Sequence, residues 1–367
     1  MIKVLRVITR MNIGGPAIHV SLLNEAMFGP EPYHFDSLLV IGSLSPDEGS
    51  MEYMLEWGGY IRVSNMQREV DLWKDLKSLY AIYTLIRLDI PDIVHTHTAK
   101  AGMLARTAAI AYNMFHKKKI KIVHTYHGNV FSGYFGWAKT FVFLIIERML
   151  AKRTDVIIAV SPSQKHELER FKIKTRIEVI RLGFNLEPFL NCSTRKGEFR
   201  KEYNLGNANI VGIVGRLTAI KNHRKFLDIA KQMLVDDQSL KFVIIGDGEL
   251  REELETYACE LGIEKQVVFT GWVRDMQMIY ADMSLLLCTS DNEGTPVAII
   301  EAMASGVPVL STDVGGVQDL LPKQRPGEYG LIRKTFSVGR AKRFVADNYS
   351  KERLIVDIEK LYEGLIK

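Results

Sequence analysis

Short apolar runs recur along the whole chain, each followed by a segment of helical period, and they constrain the fold more than any other feature. The first series is Val4–Thr9, Ser37–Ile41, Ile61–Ser64, Ile93–Thr96, Ile120–Thr125, Val156–Val160 and Ile177–Arg181. The second is Ile210–Gly215, Lys241–Gly246, Gln266–Thr270, Ser284–Cys288 and Pro308–Ser311. Strands that lack polar alternation are covered on both faces, which implies parallel sheets flanked by helices. Right-handed crossovers then predict two doubly wound α/β domains. The length of 367 residues agrees, being more than one core normally supports.

The boundary falls where Phe184-Asn185-Leu186-Glu187-Pro188 leads into the polar stretch Asn191 to Arg200. We expect a first domain over residues 1–185, a second over 186–345 and a closing helix over 346–367. In that last segment Leu354, Ile355, Ile358, Leu361, Tyr362, Leu365 and Ile366 share one helical face. Such a face needs a partner surface, for which the first domain is the candidate.

Composition excludes several classes. The start of the chain, Lys3 to Thr9, reads as a strand and lacks a signal peptide's apolar length and cleavage site, so a cytoplasmic protein is expected. Cys192, Cys259 and Cys288 are far apart and predict small buried residues in a reducing compartment rather than disulfides. The net charge of +5 is uneven: residues 1–185 carry 24 basic and 17 acidic side chains, and residues 100–185 alone carry 16 and 5. The first half therefore presents a positive field, although no nucleic-acid partner is expected.

Residues with chemical potential gather after the predicted strands, where ligands of open α/β sheets bind. Thr289 to Glu301 follows the run Ser284–Cys288, with Thr295 expected as N-cap and Pro296 as the first helical residue. Free amides from Gly294 through Thr295, Pro296's neighbour Val297 and Ala298 would face an anionic or hydroxyl-rich ligand. Glu293 precedes this helix and Glu301 lies about two turns into it, at depths that suit two ends of one elongated ligand. The plain alternative is a capped helix with solvated glutamates. After the run ending at Gly215, Arg216 and Lys221 place two cations on one loop, able to neutralise a diphosphate and stabilise its departure. Gly14-Gly15-Pro16 allows close backbone approach before another helix, yet it is not a Gly-x-Gly-x-x-Gly fingerprint, which argues against a nicotinamide cofactor.

His95, His97, His124 and His127 sit at strand ends. The first two share a strand face and read as satisfied packing residues, whereas His127 lies in a loop suited to substrate contact. No pair has helical metal-ligand spacing, and the cationic loop handles phosphate without an ion, so no metal and no cofactor are expected. The apolar segment Gly133 to Arg153 is too short and too charged to span a bilayer, and a buried core helix is the preferred reading. Its basic surroundings, His116 to Lys121 with Lys152 and Arg153, support a competing one: peripheral contact with an anionic membrane.

Together these motifs resemble glycosyltransferase family 4. The resemblance rests on Gly14-Gly15-Pro with His19, Asp92-Ile-Val-His-Thr-His97, His124-Thr-Tyr-His-Gly128, Val160-Ser-Pro162, Gly215-Arg216 with Lys221-Asn222, Gly246-Asp-Gly-Glu249, and Glu293-Gly-Thr-Pro to Glu301. Ala302-Met-Ala-Ser-Gly-Val-Pro308 and Gly315-Gly316 continue it. It implies a GT-B fold of two Rossmann-like domains and retaining, metal-free transfer from a nucleotide-diphosphate sugar. Arg216 and Lys221 would hold the diphosphate, Glu301 the ribose, Glu293 a sugar hydroxyl, and the amides of Gly294 to Val297 would contribute. Gly15, with Gly14, would approach the diphosphate from the opposite domain. His127 would sit beside donor sugar and acceptor. The chain departs from the family after Ile332, where about thirty residues and one or two helices are missing.

The expected function is therefore transfer of a hexosyl group from a UDP-sugar, or alternatively a GDP-sugar, to a carbohydrate or lipid-linked acceptor in polysaccharide assembly. Competing readings are a GT-B nucleotide-sugar epimerase and a catalytically impaired sugar-nucleotide-binding protein.

Overall fold

The computed structural model describes residues 1–26, 35–45, 48–55, 59–127, 137–323, 331, 333–335 and 337–367. The chain divides into two units, Met1–Phe184 together with Lys351–Lys367, and Asn185–Ser350.

The first unit runs β1 (Ile2–Ile8), α1 (Gly15–Glu25), β2 (Phe35–Ile41), β3 (Tyr60–Arg62), α2 (Leu72–Asp89), β4 (Ile93–His97), α3 (Ala99–Phe115), β5 (Lys121–Tyr126), α4 (Trp137–Ala151), β6 (Val156–Ala159), α5 (Pro162–Arg170) and β7 (Ile177–Val179). The strands form one parallel sheet in the order β3-β2-β1-β4-β5-β6-β7. Alternate residues of β1 serve two cores, as strand geometry requires. Leu5 and Val7 pack with Ile82 and Ile86 of α2 and Leu104 and Ala108 of α3. Val4 packs on the other face with Ile93, Val123 and Ile158, and Ile8 packs there with Ala17 and Val20 of α1.

The second unit runs α6 (Glu187–Leu190), α7 (Glu198–Glu202), β8 (Ile210–Val214), α8 (His223–Asp236), β9 (Lys241–Ile245), α9 (Arg251–Glu260), β10 (Val267–Gly271), α10 (Met276–Asp282), β11 (Leu285–Cys288), α11 (Val297–Ser305), β12 (Val309–Ser311), β13 (Arg333–Lys334) and α12 (Val338–Tyr349). Its sheet has the order β10-β9-β8-β11-β12-β13, parallel except for the short last strand. Phe226, Leu227, Ile229 and Ala230 of α8 and Leu254 and Ala258 of α9 bury their apolar stripes against Val211, Ile213, Phe242 and Ile244.

In both sheets the strand order reverses at the first strand, between β1 and β4 and between β8 and β11. A crevice opens at the carboxyl ends of the strands on either side of such a reversal.

The end of the chain differs in detail from the single helix expected over 346–367. Helix α12 continues to Tyr349, Ser350 is extended, and α13 (Lys351–Ile366) follows as a separate helix. Leu354, Ile355, Ile358, Leu361 and Tyr362 join the core of the first unit beside Val4, Ile93 and Val123. Burying each such side chain contributes on the order of 1.5–3 kcal/mol, enough to return the chain to that sheet. Lys351 donates its backbone N–H to Phe184 O (3.0 Å) where the two segments of the unit meet.

Two expectations need correcting. Cys259 is exposed, because it lies on the outer side of α9, whereas Cys192 and Cys288 are buried; all three thiols are free. The apolar segment around α4 is not a fully buried core helix. It buries Glu147, Leu150 and Ala151 but exposes Phe141, Val142, Ile145 and Met149 along one side. The start of that segment, residues 133–136, lies outside the described residues. No helix among the described residues is long and apolar enough to cross a membrane.

Candidate functional site

In the second unit the polar residues expected to bind a ligand converge on the reversal between β8 and β11. Lys221 follows β8 and Glu293 follows β11, and Lys221 Nζ lies 2.7 Å from Glu293 Oε1. The same oxygen accepts from Ser290 Oγ at 2.6 Å, with the Cys288 thiol at 3.9 Å. Glu293 is buried, so this ion pair stabilises a carboxylate that burial alone would disfavour. Burial and the nearby Glu293 charge both push the Cys288 thiol pKa up, which leaves it an inert neighbour. Arg216 is exposed, its carbonyl accepts from Thr218 N (2.8 Å), and its guanidinium forms no ion pair or hydrogen bond among the described residues.

The loops are locked together by backbone contacts. Asp291 N donates to Ile220 O (2.9 Å), Thr289 Oγ1 donates to Asn222 O (2.9 Å), and Asn222 Nδ2 donates to Asp291 Oδ1 (3.1 Å). Asn222 is left-handed at φ 50° and its side chain caps α8 by accepting from Lys225 N. Gly316 N donates to Glu293 O at 2.9 Å. A Cβ on Gly315 would lie 1.9 Å from Glu293 O, and one on Gly316 would lie 1.7 Å from Gly294 O. Only glycine fits under this loop.

That support alters the helix start. Helix α11 begins at Val297 with Pro296 extended as its N-cap residue and no side-chain cap, so Thr295 is not the N-cap. The Gly315–Gly316 turn holds the segment from outside through the Gly316 N–H on Glu293 O, and it leaves the helix start without a cap. The amides of Val297 and Ala298 remain at the first turn, where no intrahelical acceptor exists for them. Further along α11, Glu301 accepts from Tyr280 Oη at 3.1 Å. Burial of its carboxyl pushes the pKa up to about 7, and the Tyr280 hydrogen bond opposes this only in part. Tyr280 and Ser290 were not identified from sequence; their signal lies in contacts across the loops, which a linear reading does not contain.

In the first unit Gly14 takes φ 152° and Pro16 lies at the start of α1, so α1 opens at Gly15, one residue before the expected position. A Cβ at Gly15 would lie 3.4 Å from the Leu182 side chain, an ordinary contact. Just past β4, Thr98 is held at φ 65°, unusual for a β-branched residue. Its Oγ1 lies 2.6 Å from Thr9 Oγ1, and Thr9 Oγ1 accepts from Ala101 N, which fixes the turn after His97.

The histidines separate by strand parity. His124 is buried beneath α3, where Thr96 Oγ1 meets its Nδ1 at 2.7 Å and Gly102 leaves room for its ring. His95 faces the other way and uses both nitrogens, with Tyr362 Oη at 2.6 Å and Thr125 Oγ1 at 2.7 Å. Arg6, fully buried beside it on β1, donates to the same Tyr362 hydroxyl and to Ser37 Oγ. Toward the strand ends, His97 Nδ1 and His127 Nε2 are 2.9 Å apart, and His19 of α1 packs its ring against both. Burial holds the pKa of His19, His95, His97 and His124 well below the usual range and that of His127 at about 3. All are neutral imidazoles at neutral pH.

Two family models match the chain: Glycosyltransferase Family 4 over residues 38–188 and Glycosyl transferases group 1 over residues 208–343. The UDP-Gal:alpha-D-GlcNAc-diphosphoundecaprenol alpha-1,3-galactosyltransferase of Escherichia coli is 32% identical over 273 residues, which cover 72% of this chain and 69% of that protein. The chain belongs to this glycosyltransferase family. Solved structures place the glycosyltransferase in the GT-B fold. HepE from Anabaena in complex with UDP and glucose superposes with a TM-score of 0.79 at 18% identity, covering 99% of this chain and 100% of that one. Sucrose-phosphate synthase from Thermosynechococcus elongatus gives 0.79 at 18% identity, covering 100% and 99%. The glycosyltransferase thus has its polar loops at the strand ends of each Rossmann-like sheet.

Proposed function

We propose that this glycosyltransferase moves a hexosyl group from a UDP-sugar to a carbohydrate or lipid-linked acceptor in polysaccharide assembly, with retention at the anomeric carbon and without a metal at the diphosphate. The observation that carries the proposal is the Lys221–Glu293 pair, with exposed Arg216 on the same post-strand loop. Arg216 and Lys221 would neutralise the diphosphate, Glu293 would accept from a sugar hydroxyl, and Glu301 would accept from the ribose. The amides of Gly294, Thr295 and Val297, beside Pro296, would line the sugar and phosphate. In the reaction the bond from the anomeric carbon to the diphosphate oxygen breaks. A bond from the acceptor oxygen forms on the same face, and the acceptor proton passes to the leaving phosphate. To the first unit we assign the acceptor, beside His127. The similar galactosyltransferase named for UDP-Gal and the HepE complex with UDP support a UDP-linked donor.

We also infer peripheral contact of the first unit with the inner face of the cytoplasmic membrane. The exposed Phe141, Val142, Ile145 and Met149 of α4 support this. The lysine run contributes less charge than its sequence implies, since Lys118 pairs with Asp92 (2.9 Å) and Lys121 with Asp155 (3.4 Å).

The deciding measurement is UDP release from UDP-hexoses with and without lipid-linked saccharide acceptors. Acceptor-dependent release with a retained anomeric configuration in the product is expected. Interconversion of the UDP-sugar without acceptor would favour epimerisation, and tight binding without turnover would favour an impaired enzyme; either result would overturn the assignment.

A further inference from the structure

His95 and His97 alternate with Thr96 on β4, so both face the side of the sheet that buries Ile93 and Val123. The neighbours of His95 fix where its proton lies. Arg6 has only donors and gives one to Tyr362 Oη (3.2 Å). Among the described residues the one acceptor left for the Tyr362 hydroxyl hydrogen is His95 Nδ1, at 2.6 Å. His95 therefore carries its own hydrogen on Nε2 and donates it to Thr125 Oγ1 (2.7 Å). It has no hydrogen bond left for His97 and holds that ring by packing, at a centroid distance of 4.3 Å.

The contact between His97 and His127 obeys a similar count. His97 Nδ1 and His127 Nε2 are 2.9 Å apart, and burial keeps both rings neutral, so one of these two nitrogens carries the hydrogen between them. His19 packs against both rings, yet neither of its nitrogens has a partner among the described residues. If His127 donated, His97 would carry its hydrogen on Nε2, a fully buried position with no partner among the described residues. If His97 donates, its Nε2 is a bare lone pair and the remaining hydrogen lies on His127 Nδ1. That nitrogen also lacks a partner there, but its residue is partly exposed just past β5. A buried N–H without an acceptor is costly. The second arrangement puts that N–H at a strand end, where a ligand of an open α/β sheet can accept from it.

We infer that His97 is a positioning residue: it donates its Nδ1–H to His127 Nε2 and so makes His127 present Nδ1–H to a sugar oxygen of the substrate. His127 then has no free lone pair and acts as a neutral hydrogen-bond donor, not as a base. That agrees with a transfer in which the acceptor proton passes to the leaving phosphate. The inference rests on the reading of His127 as a substrate contact of the first unit, and it gives His97 a role beyond packing.

Full-length protein labelled with 15N-histidine should be followed by long-range proton–nitrogen correlation, with His127→Asn assigning one signal set among the nine histidines. A neutral His127 protonated on Nδ1 is expected, and a proton on Nε2 overturns the inference whatever the kinetics show. His97→Asn keeps a donor at the Nδ1 position and should retain both that tautomer and turnover within about threefold. His97→Leu removes the donor and should lower kcat/KM at least about tenfold, with the affinity for UDP alone and the Tm unchanged. A raised KM for the acceptor would put the recognised oxygen on the acceptor, and weaker binding of UDP-sugar but not of UDP would put it on the transferred sugar. Wild-type turnover in folded His97→Leu, beside an impaired His127→Ala, overturns the positioning role and leaves the His127 contact standing. Unimpaired His127→Ala overturns the contact and the positioning role with it.

Discussion

Lys221 and Glu293 come from loops seventy-two positions apart in sequence, yet their charged groups meet at 2.7 Å at the reversal of the second sheet. Each satisfies the other until a ligand arrives. Under the proposed function a bound diphosphate sugar would take the ammonium through its phosphate and the carboxylate through a hydroxyl.

This pairing predicts coupled losses. Lys221→Ala and Glu293→Ala should each lower kcat/KM at least about tenfold, or 1.4 kcal/mol of transition-state stabilisation. The double variant should lose less than the sum, because each single change also leaves the partner charge uncompensated. Steady-state kinetics with circular dichroism as a folding control tests this. Near-wild-type rates in both single variants would place the site elsewhere.

Glu301 should show opposed effects on stability and binding. A carboxyl whose pKa rises on folding, here to about 7, binds its proton more tightly in the native state. Stability is then greatest below the unfolded value near 4.5 and falls as pH climbs toward 7. At pH 8 the deficit is on the order of 3 kcal/mol. Glu301→Gln should raise the Tm at pH 8 but not at pH 4.5, while weakening donor binding. A lower Tm at pH 8 would contradict this account of its burial.

Two glycines should respond oppositely to alanine. At Gly316 the new Cβ would meet Gly294 O at 1.7 Å, so the Glu293 loop must shift and donor affinity should fall at least about tenfold. At Gly364, within α13, nothing lies within 4 Å, and alanine should stabilise by about 0.5–1 kcal/mol. Calorimetric titration with a UDP-sugar and thermal denaturation separate the two.

The first unit should be acid-labile. His19, His95, His97 and His124 have pKa values well below the usual range and His127 lies at about 3. For a lowered pKa the unfolded chain takes up protons first, so stability is complete above about 6.5 and is lost as pH falls through that value toward 3. For His127 the loss is about 1.4 kcal/mol per pH unit in that window, and the other four histidines act in the same direction. Far-UV circular dichroism should show a cooperative loss of structure near pH 5. A midpoint below pH 4 would refute the burial of these imidazoles as neutral groups.

If α4 meets the membrane, Phe141→Ser with Ile145→Ser should abolish co-sedimentation with anionic vesicles and leave turnover of a soluble acceptor analogue unchanged. The apolar face carries the contact, so salt should weaken wild-type binding only in part. Equal sedimentation of wild-type and variant proteins would remove α4 from the interaction.

Much of the architecture was legible in the chain itself. Parallel strands such as Val156–Ala159 and, from Phe242 on, Lys241–Ile245 are buried on both faces, so they are continuously apolar, and their spacing exposes the helices between them. The post-strand motifs were legible for a related reason: Gly315 and Gly316 are required by backbone carbonyls that no side chain could approach. The cap of α11 was misjudged because Thr295 and Pro296 have the right chemistry locally, while the turn that holds them belongs to a different loop.

Sequence by itself determined two Rossmann-like sheets, the loops that carry Arg216, Lys221, Glu293 and Glu301, and the apolar face of the final helix, because each depends on local periodicity or local backbone conformation. Only the tertiary structure decided the order of the strands, the pairing of Lys221 with Glu293, the return of α13 to the first sheet and the meeting of His19, His97 and His127. These depend on which strand ends lie side by side, and that follows from packing between segments whose separation in sequence carries no periodic signal.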